Sequence, residues 1–208
     1  MVTNKPDHAS EKRIEFLFDF GSPNAYLAYK ALPPLLASTG AQVDYIPCLL
    51  GGIFKATGNQ SPVFAHANIK GKLAYEHREI ERFIKKHSID FTFNSHFPIN
   101  TLLIMRGAVA AEREGALAEY VSAVFDHMWK APKKMDDPAI VVEALNQSGL
   151  DGVGLVEATN DPAIKAGLIA NTEDAVERGV FGLPVFFVNG DMYFGKDRLG
   201  QVEEALSA

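Results

Sequence analysis

Cysteine is almost absent from this 208-residue chain, which contains Cys48 alone. A single cysteine excludes an internal disulfide, a CxxC redox pair and a cysteine-rich zinc site. The six histidines have no HxxxH or HExxH spacing, so the sequence predicts no metal site. We therefore expect a chain stabilised by its hydrophobic core, in a reducing compartment such as the cytoplasm.

The sequence has neither an excess of basic residues nor a long apolar run. It contains 20 Lys and Arg residues against 26 Asp and Glu, a net charge of -6 at pH 7, which disfavours nucleic acid and anionic membranes as partners. No run of about 20 apolar residues is present to span a bilayer. Residues 1–13 lack the apolar centre of a signal peptide and are expected to form a loose tail.

The strongest local pattern is an apolar run that ends in a Gly-Ser-Pro corner. Residues 14–20 are rich in branched and aromatic side chains and predict a strand buried on both faces. Gly21 allows a tight turn, Ser22 is a favoured helix N-cap, and Pro23 suits the first helical position. The Ser22 hydroxyl would lie at the positive end of the helix dipole, where an anion or thiolate is stabilised. Capping alone also explains Ser22, so the corner does not by itself establish catalysis.

The helix that follows is predicted to end at Gly40, with a kink or a restart at Pro33-Pro34. A second strand over residues 42–50 would complete a right-handed βαβ unit with parallel strands. A loop with one or two helical turns is expected over residues 51–62. The start of the chain is therefore predicted to be α/β.

Beyond that loop the pattern is helical and then returns to sheet. Asp137 and Asp161, each followed by proline, predict two helix starts within the helical stretch. Near the end, Asn189-Gly190 separates two short apolar runs and predicts a β-hairpin, followed by a final helix. The sheet would thus be built from both ends of the chain.

Four segments carry a resemblance to a known family: Phe18 to Pro23, Gly58-Asn59, Phe181 to Pro184, and Phe194 to Leu199. In this order and at these separations they resemble the bacterial 2-hydroxychromene-2-carboxylate isomerases and the kappa-class glutathione transferases. The resemblance covers nearly the whole chain after the tail.

The fold implied by the resemblance is a thioredoxin-like α/β fold with a large all-helical domain inserted between its βαβ and ββα halves. Residues 14–64 and 180–208 would form the thioredoxin-like domain. Residues 65–179 would form the helical insertion. Relatives of this kind are homodimers, so we expect a homodimer.

The resemblance also implies a glutathione site. Ser22 would be the catalytic residue and would hold the glutathione thiolate by a hydrogen bond. The Leu183 backbone, ahead of a cis Pro184, would pair with the peptide part of glutathione. Asn59 would contact both thiol and substrate. The γ-glutamyl end would be held by Phe194, Gly195, Lys196 and Asp197, with Asp197 accepting from the ammonium group.

The binding site for a small aromatic carboxylate substrate would be lined by Cys48, Gly58, Asn59 and Asn100. Cys48 is expected to line the site rather than attack the substrate. Asn94, Asn100 and Arg106 are placed to cover the cleft, with helix capping and solvated surface as the alternatives.

Two residues depart from the family pattern. Gly21 stands where relatives often carry a larger apolar residue, and we expect it to widen the substrate cavity. Lys196 stands where Ser or Asn is common, and it would either pair with the γ-glutamyl carboxylate or point into solvent.

The function implied is a glutathione-dependent isomerase that interconverts 2-hydroxychromene-2-carboxylate and trans-o-hydroxybenzylidenepyruvate in the degradation of aromatic hydrocarbons. The alternatives are a kappa-class transferase that conjugates glutathione to electrophiles, and a non-catalytic thioredoxin-fold binding protein. A disulfide oxidoreductase is disfavoured, because Ser22-Pro23-Asn24-Ala25 has no sulfur where a CxxC motif would lie.

Overall fold

The computed structural model describes residues 12–207. Most of the predicted tail, residues 1–11, lies outside the described residues. Arg13, the last residue of that predicted tail, already belongs to the first strand. Within residues 12–207, no helix has the length and apolar character needed to span a membrane.

The secondary structure follows the expected succession of strand, helix and strand, a helical block, and a hairpin. The strands are β1 (Arg13–Phe18), β2 (Gln42–Pro47), β3 (Val185–Val188) and β4 (Asp191–Phe194). The helices are α1 (Pro23–Thr39), α2 (Leu50–Thr57), α3 (Pro62–Ala65), α4 (Lys72–His87), α5 (Leu102–Arg113), α6 (Leu117–Trp129), α7 (Pro138–Gln147), α8 (Gly152–Ala158), α9 (Pro162–Glu177) and α10 (Leu199–Ser207), with a 3₁₀ turn at Lys196–Arg198.

The sheet has the strand order β2-β1-β3-β4. β1 and β2 are parallel, whereas β3 is antiparallel to both β1 and β4. Phe16 in β1 lies opposite Tyr45 on one side and Phe186 on the other. The predicted fold class, a thioredoxin-like sheet built from both ends of the chain, is confirmed.

Several local predictions are also confirmed. Ser22 caps α1 with Pro23 at the first helical position, and Gly40 ends that helix in the left-handed conformation with a φ of 70°. Asp137 and Asp161 cap α7 and α9 through their side chains. The Leu183-Pro184 peptide bond is cis, as is an unpredicted one at Phe97-Pro98.

Other predictions about element bounds are wrong. β1 ends at Phe18 rather than Phe20, and β2 ends at Pro47 because Leu50 already begins α2. Of the two alternatives predicted at Pro33-Pro34, a kink or a restart, the restart does not occur, since α1 is one helix that contains both prolines. Leu32 and Leu35 flank the pair and are buried in the core, so packing on both sides offsets the lost backbone hydrogen bonds.

The core lies on both faces of the sheet. The smaller cluster contains Leu17, Cys48, Val185 and Phe187. The larger cluster runs from β1 and α1 into the inserted helices, where the Phe20 ring meets Phe125 with centroids 4.8 Å apart. The segment just before Ser22 is therefore packed directly against the helical insertion.

Candidate active site

Ser22 lies at the junction between the start of α1 and the segment that leads into β3. Its side chain is nearly buried, with the residue 6% exposed. The Ser22 Oγ accepts a hydrogen bond from the Ala25 N–H at 3.2 Å and donates one to the Leu183 carbonyl, also at 3.2 Å. The structure therefore brings the predicted catalytic serine into contact with the residue before the cis proline.

The segment Phe194 to Leu199 lies beside these two. The Gly195 N–H donates to the Pro184 carbonyl at 2.9 Å, which places Gly195 and its neighbours beside the Leu183-Pro184 bend. Phe194 is 41% exposed and its ring packs against Phe181, with centroids 4.6 Å apart. These hydrogen bonds connect Ser22 with Leu183 and Pro184 with Gly195, so the three segments that were predicted to act together lie next to one another.

Lys196 does not point into solvent, which was one of the two alternatives expected for it. Its side chain is 5% exposed, and its Nζ lies 2.9 and 3.0 Å from the two carboxylate oxygens of Asp197. The ammonium group also lies 5.0 Å from the centre of the Phe83 ring in α4. A cavity of about 580 Å³ opens beside the pair, between α1, α4 and α10. Asp197 is thus an exposed carboxylate that pairs with a buried ammonium group.

Asp19 is a buried residue beside Ser22 whose role in the site was not predicted from the sequence. It is 1% exposed, and its carboxylate accepts hydrogen bonds from the Gly21 N–H at 2.8 Å, the Leu50 N–H at 2.8 Å and the Thr101 hydroxyl at 3.2 Å. The sequence feature that could have identified Asp19 is its position as the one charged residue between Phe18 and Phe20 in an otherwise apolar run. A buried carboxylate is retained only when several donors satisfy it.

The Asp19 carboxylate fixes two parts of the site at once. Its bond to Gly21 shapes the turn that delivers Ser22, and its bond to Leu50 caps α2, whose own N-cap Leu49 has no side-chain acceptor. Burial raises the pKa of Asp19, and the three hydrogen bonds oppose that rise. The turn and α2 are therefore held in a fixed relation.

Thr101 fills the space that a side chain at position 21 would take. A Cβ built on Gly21 would lie 3.0 Å from the Thr101 methyl and 3.3 Å from an Asp19 carboxylate oxygen. The expectation that Gly21 widens the substrate cavity is therefore wrong, because a residue from the helical insertion occupies the room.

Two further groups of the insertion contact the turn. The Trp129 indole N–H donates to the Phe20 carbonyl at 2.7 Å, and the Phe20 N–H points at the Met105 sulfur at 3.5 Å. Trp129 and Met105 are both fully buried. The backbone on either side of Asp19 is thus held by α5 and α6 as well as by its own strand.

The Gly58-Asn59 pair lies at the end of α2. Gly58 terminates the helix with a φ of 71°, and Asn59 is exposed. The Asn59 backbone N–H donates to the Thr57 hydroxyl at 3.4 Å. Its side chain forms no hydrogen bond with any residue of the described chain, so it remains available to a ligand.

Cys48 does not lie where the sequence analysis expected. It is fully buried in the smaller core cluster, with its thiol 3.5 Å from the Asn171 carbonyl. Burial raises the pKa of the thiol to about 12. A side chain without exposed surface does not touch a ligand, so the prediction that Cys48 lines the substrate site is not supported.

The three residues predicted to cover the cleft, Asn94, Asn100 and Arg106, differ in burial and in hydrogen bonding. The buried Asn94 uses its amide to bind the Met128 and Lys133 carbonyls, which makes it structural. Asn100 is exposed, and its side chain accepts from the Leu102 N–H at 3.0 Å at the start of α5. Arg106 is half-buried on α5 and has no acidic partner among residues 12–207. The capping alternative therefore holds for Asn100, while Arg106 keeps a free cation.

Comparison with known proteins gives one consistent family. The family model of the DSBA-like thioredoxin domain matches residues 13–207. A 2-hydroxychromene-2-carboxylate isomerase from Sphingobium xenophagum is 30% identical over 94% of this chain and 98% of that protein. Glutathione S-transferase kappa 1 from Homo sapiens is 24% identical over 90% of this chain and 88% of its own. A solved 2-hydroxychromene-2-carboxylate isomerase superposes with a TM-score of 0.81 at 28% identity, over 94% of each chain.

The contact between Gly21 and Thr101 is open to a direct test. Gly21→Ala should lower the free energy of unfolding by about 1–3 kcal/mol, because the added methyl overlaps the Thr101 methyl. Combining it with Thr101→Ser should restore most of the loss, because serine removes the methyl and keeps the hydroxyl on Asp19. Urea unfolding of both single variants and the double variant measures this. Strictly additive losses would contradict the packing account.

The Asp19 network predicts a large cost for a nearly isosteric change. Asp19→Asn should lower the free energy of unfolding by about 2 kcal/mol or more, because the asparagine NH₂ would oppose an N–H donor in a buried site. Asp137→Asn is the matched control, since Asp137 is a helix N-cap at which asparagine serves equally well, within about 0.5 kcal/mol. Equal losses at both positions in urea unfolding would show that Asp19 has no special structural role.

Proposed function

We propose that this chain is a glutathione-dependent isomerase. It belongs to the family of DSBA-like thioredoxin domains and, within that family, to the 2-hydroxychromene-2-carboxylate isomerases. It would interconvert 2-hydroxychromene-2-carboxylate and trans-o-hydroxybenzylidenepyruvate. The observation that carries the proposal is the contact of the Ser22 hydroxyl with the Leu183 carbonyl, at the N-terminus of α1.

The groups around Ser22 suit a thiol peptide. The backbone N–H of Asn24, in the first turn of α1, has no hydrogen-bond partner within residues 12–207, and the helix dipole adds positive potential there. The Leu183 N–H is likewise without a partner in the described chain. Asp197 is an exposed carboxylate two residues beyond Gly195. These donors and this acceptor match a thiolate, a peptide carbonyl and an ammonium group in turn.

Each residue of the site would have a distinct role. Ser22 would donate a hydrogen bond to the sulfur, and the start of α1 would favour the thiolate form. The Leu183 backbone would orient the peptide as an added strand does. Asp197 would accept from the γ-glutamyl ammonium group. When bound, glutathione supplies the nucleophile for the ring opening and is released unchanged.

Arg106 is our candidate for the substrate carboxylate. It lies on α5, the helix that begins after Thr101 and carries Met105, both of which contact the turn before Ser22. A half-buried guanidinium without an acidic partner is suited to bidentate recognition of a carboxylate. Asn59 would add a polar contact from the end of α2.

A kappa-class transferase is the second candidate, favoured by the similarity to human glutathione S-transferase kappa 1. Product analysis separates the two reactions. Recovery of free thiol with the isomerised acid supports the isomerase, whereas a stable thioether supports the transferase. The low cysteine content favours a cytoplasmic location, and the resemblance implies a homodimer. Sedimentation of the purified chain would test the number of subunits.

Ser22→Ala should reduce the glutathione-dependent isomerase rate by about 10- to 100-fold, the worth of one hydrogen bond to a charged group. The ultraviolet change of the chromene substrate, with and without glutathione, reports the rate. Asp137→Ala is the matched control, because it also removes a helix cap followed by proline, but at the start of α7. It should cost about 1 kcal/mol of stability and leave the rate unchanged. Equal rates for Ser22→Ala and the parent would remove Ser22 from the mechanism.

Asp197→Asn should weaken glutathione binding by about tenfold, because the γ-glutamyl ammonium group of the ligand would lose its charged acceptor. Calorimetry measures the affinity. Asp191→Asn, at the exposed start of β4, is the control and should leave the affinity unchanged. The γ-glutamyl assignment fails when both variants bind glutathione like the parent.

A further inference from the structure

We propose that the Ser22 hydroxyl exchanges its hydrogen-bond acceptor when a thiol binds, and that this exchange requires an amide N–H on the ligand's own cysteinyl residue. The site would therefore select N-acylated cysteinyl thiols over simple thiols. This inference rests on the proposed function and adds a ligand requirement to it.

The Ser22 hydroxyl has a single hydrogen to donate. That hydrogen is directed to the Leu183 carbonyl at 3.2 Å, while the oxygen accepts from the Ala25 N–H at 3.2 Å. A hydrogen bond from Ser22 to a thiolate therefore requires Ser22 to leave the Leu183 carbonyl. The cap to Ala25 uses a lone pair and is compatible with either state.

Leaving the Leu183 carbonyl is costly unless another donor replaces the serine. Leu183 is 6% exposed, and within residues 12–207 its carbonyl accepts a hydrogen bond from Ser22 alone. The penalty for an unsatisfied buried acceptor is similar in size to the gain from a hydrogen bond to a charged group. The two terms nearly cancel, so a thiol alone would gain little from Ser22.

A peptide-like ligand resolves this conflict. Paired residues of antiparallel strands exchange both backbone hydrogen bonds. A cysteinyl residue opposite Leu183 would accept from the free Leu183 N–H and donate its own N–H to the Leu183 carbonyl. The ligand amide then replaces the serine at the carbonyl, and the hydroxyl is free to turn to the sulfur of the same residue.

The other ionisable groups near the turn do not depend on this exchange. Asp19 is already bonded by Gly21, Leu50 and Thr101, Cys48 is buried, and Lys196 is paired with Asp197. The electrostatic effect of these groups is therefore the same for any thiol bound at Ser22. A comparison of two ligands in the same protein therefore isolates the contribution of the ligand amide.

The test compares glutathione with its N-methylcysteinyl analogue, which lacks this N–H, in the parent protein and in Ser22→Ala. Ultraviolet absorbance of the thiolate against pH gives the bound thiol pKa for each pair. For glutathione, Ser22→Ala should lower the ratio of thiolate to thiol at neutral pH by about tenfold. For the N-methyl analogue, the parent and Ser22→Ala should give the same fraction.

An equal effect of Ser22→Ala on both ligands would overturn the proposal. N-acetylcysteinylglycine and 3-mercaptopropionylglycine form a second pair, in which the ligand without the N–H is the smaller and cannot fail by crowding. The same pattern is expected there, and the absence of any difference would again overturn the exchange. Failure of glutathione itself to bind, measured by calorimetry, would instead contradict the proposed function, so the two failures are distinguishable.

Discussion

A buried acidic group, the carboxyl of Asp19, is the constraint on which the site depends. Such a group is tolerated only where donors surround it, and here they come from the turn at Gly21, the start of α2 at Leu50, and Thr101 of the helical insertion. One side chain thereby fixes three parts of the chain that are distant in sequence. The position of Ser22, three residues later, follows from that arrangement.

The helical insertion is part of the site rather than a cover above it. Thr101, Met105 and Trp129 each contact the backbone or side chains of residues 19–21, and Trp129 holds the Phe20 carbonyl. Because these contacts are buried, the turn before Ser22 has little freedom to move. Capping and the proposed catalysis then share one geometry, since the hydroxyl that starts α1 also faces Leu183.

The parts of the structure that depend on local chemistry were predictable from the sequence. Ser22-Pro23, Gly40 and the Asn189-Gly190 turn determine helix and hairpin ends through residues adjacent in the chain. What escaped prediction depends on contacts across the fold. The pairing of Asp19 with Thr101 and the burial of Lys196 against Phe83 depend on how α4 and α5 pack, which no local pattern encodes.

The central claim is that the turn fixed by Asp19 presents the Ser22 hydroxyl and the Leu183 backbone to a cysteinyl thiol. The crystal structure of this protein with bound glutathione tests it most directly. The account predicts the sulfur within hydrogen-bond distance of the Ser22 hydroxyl, and the cysteinyl N–H on the Leu183 carbonyl that the serine occupies in the free protein. A sulfur bound away from Ser22, or a hydroxyl still directed at Leu183, would contradict it.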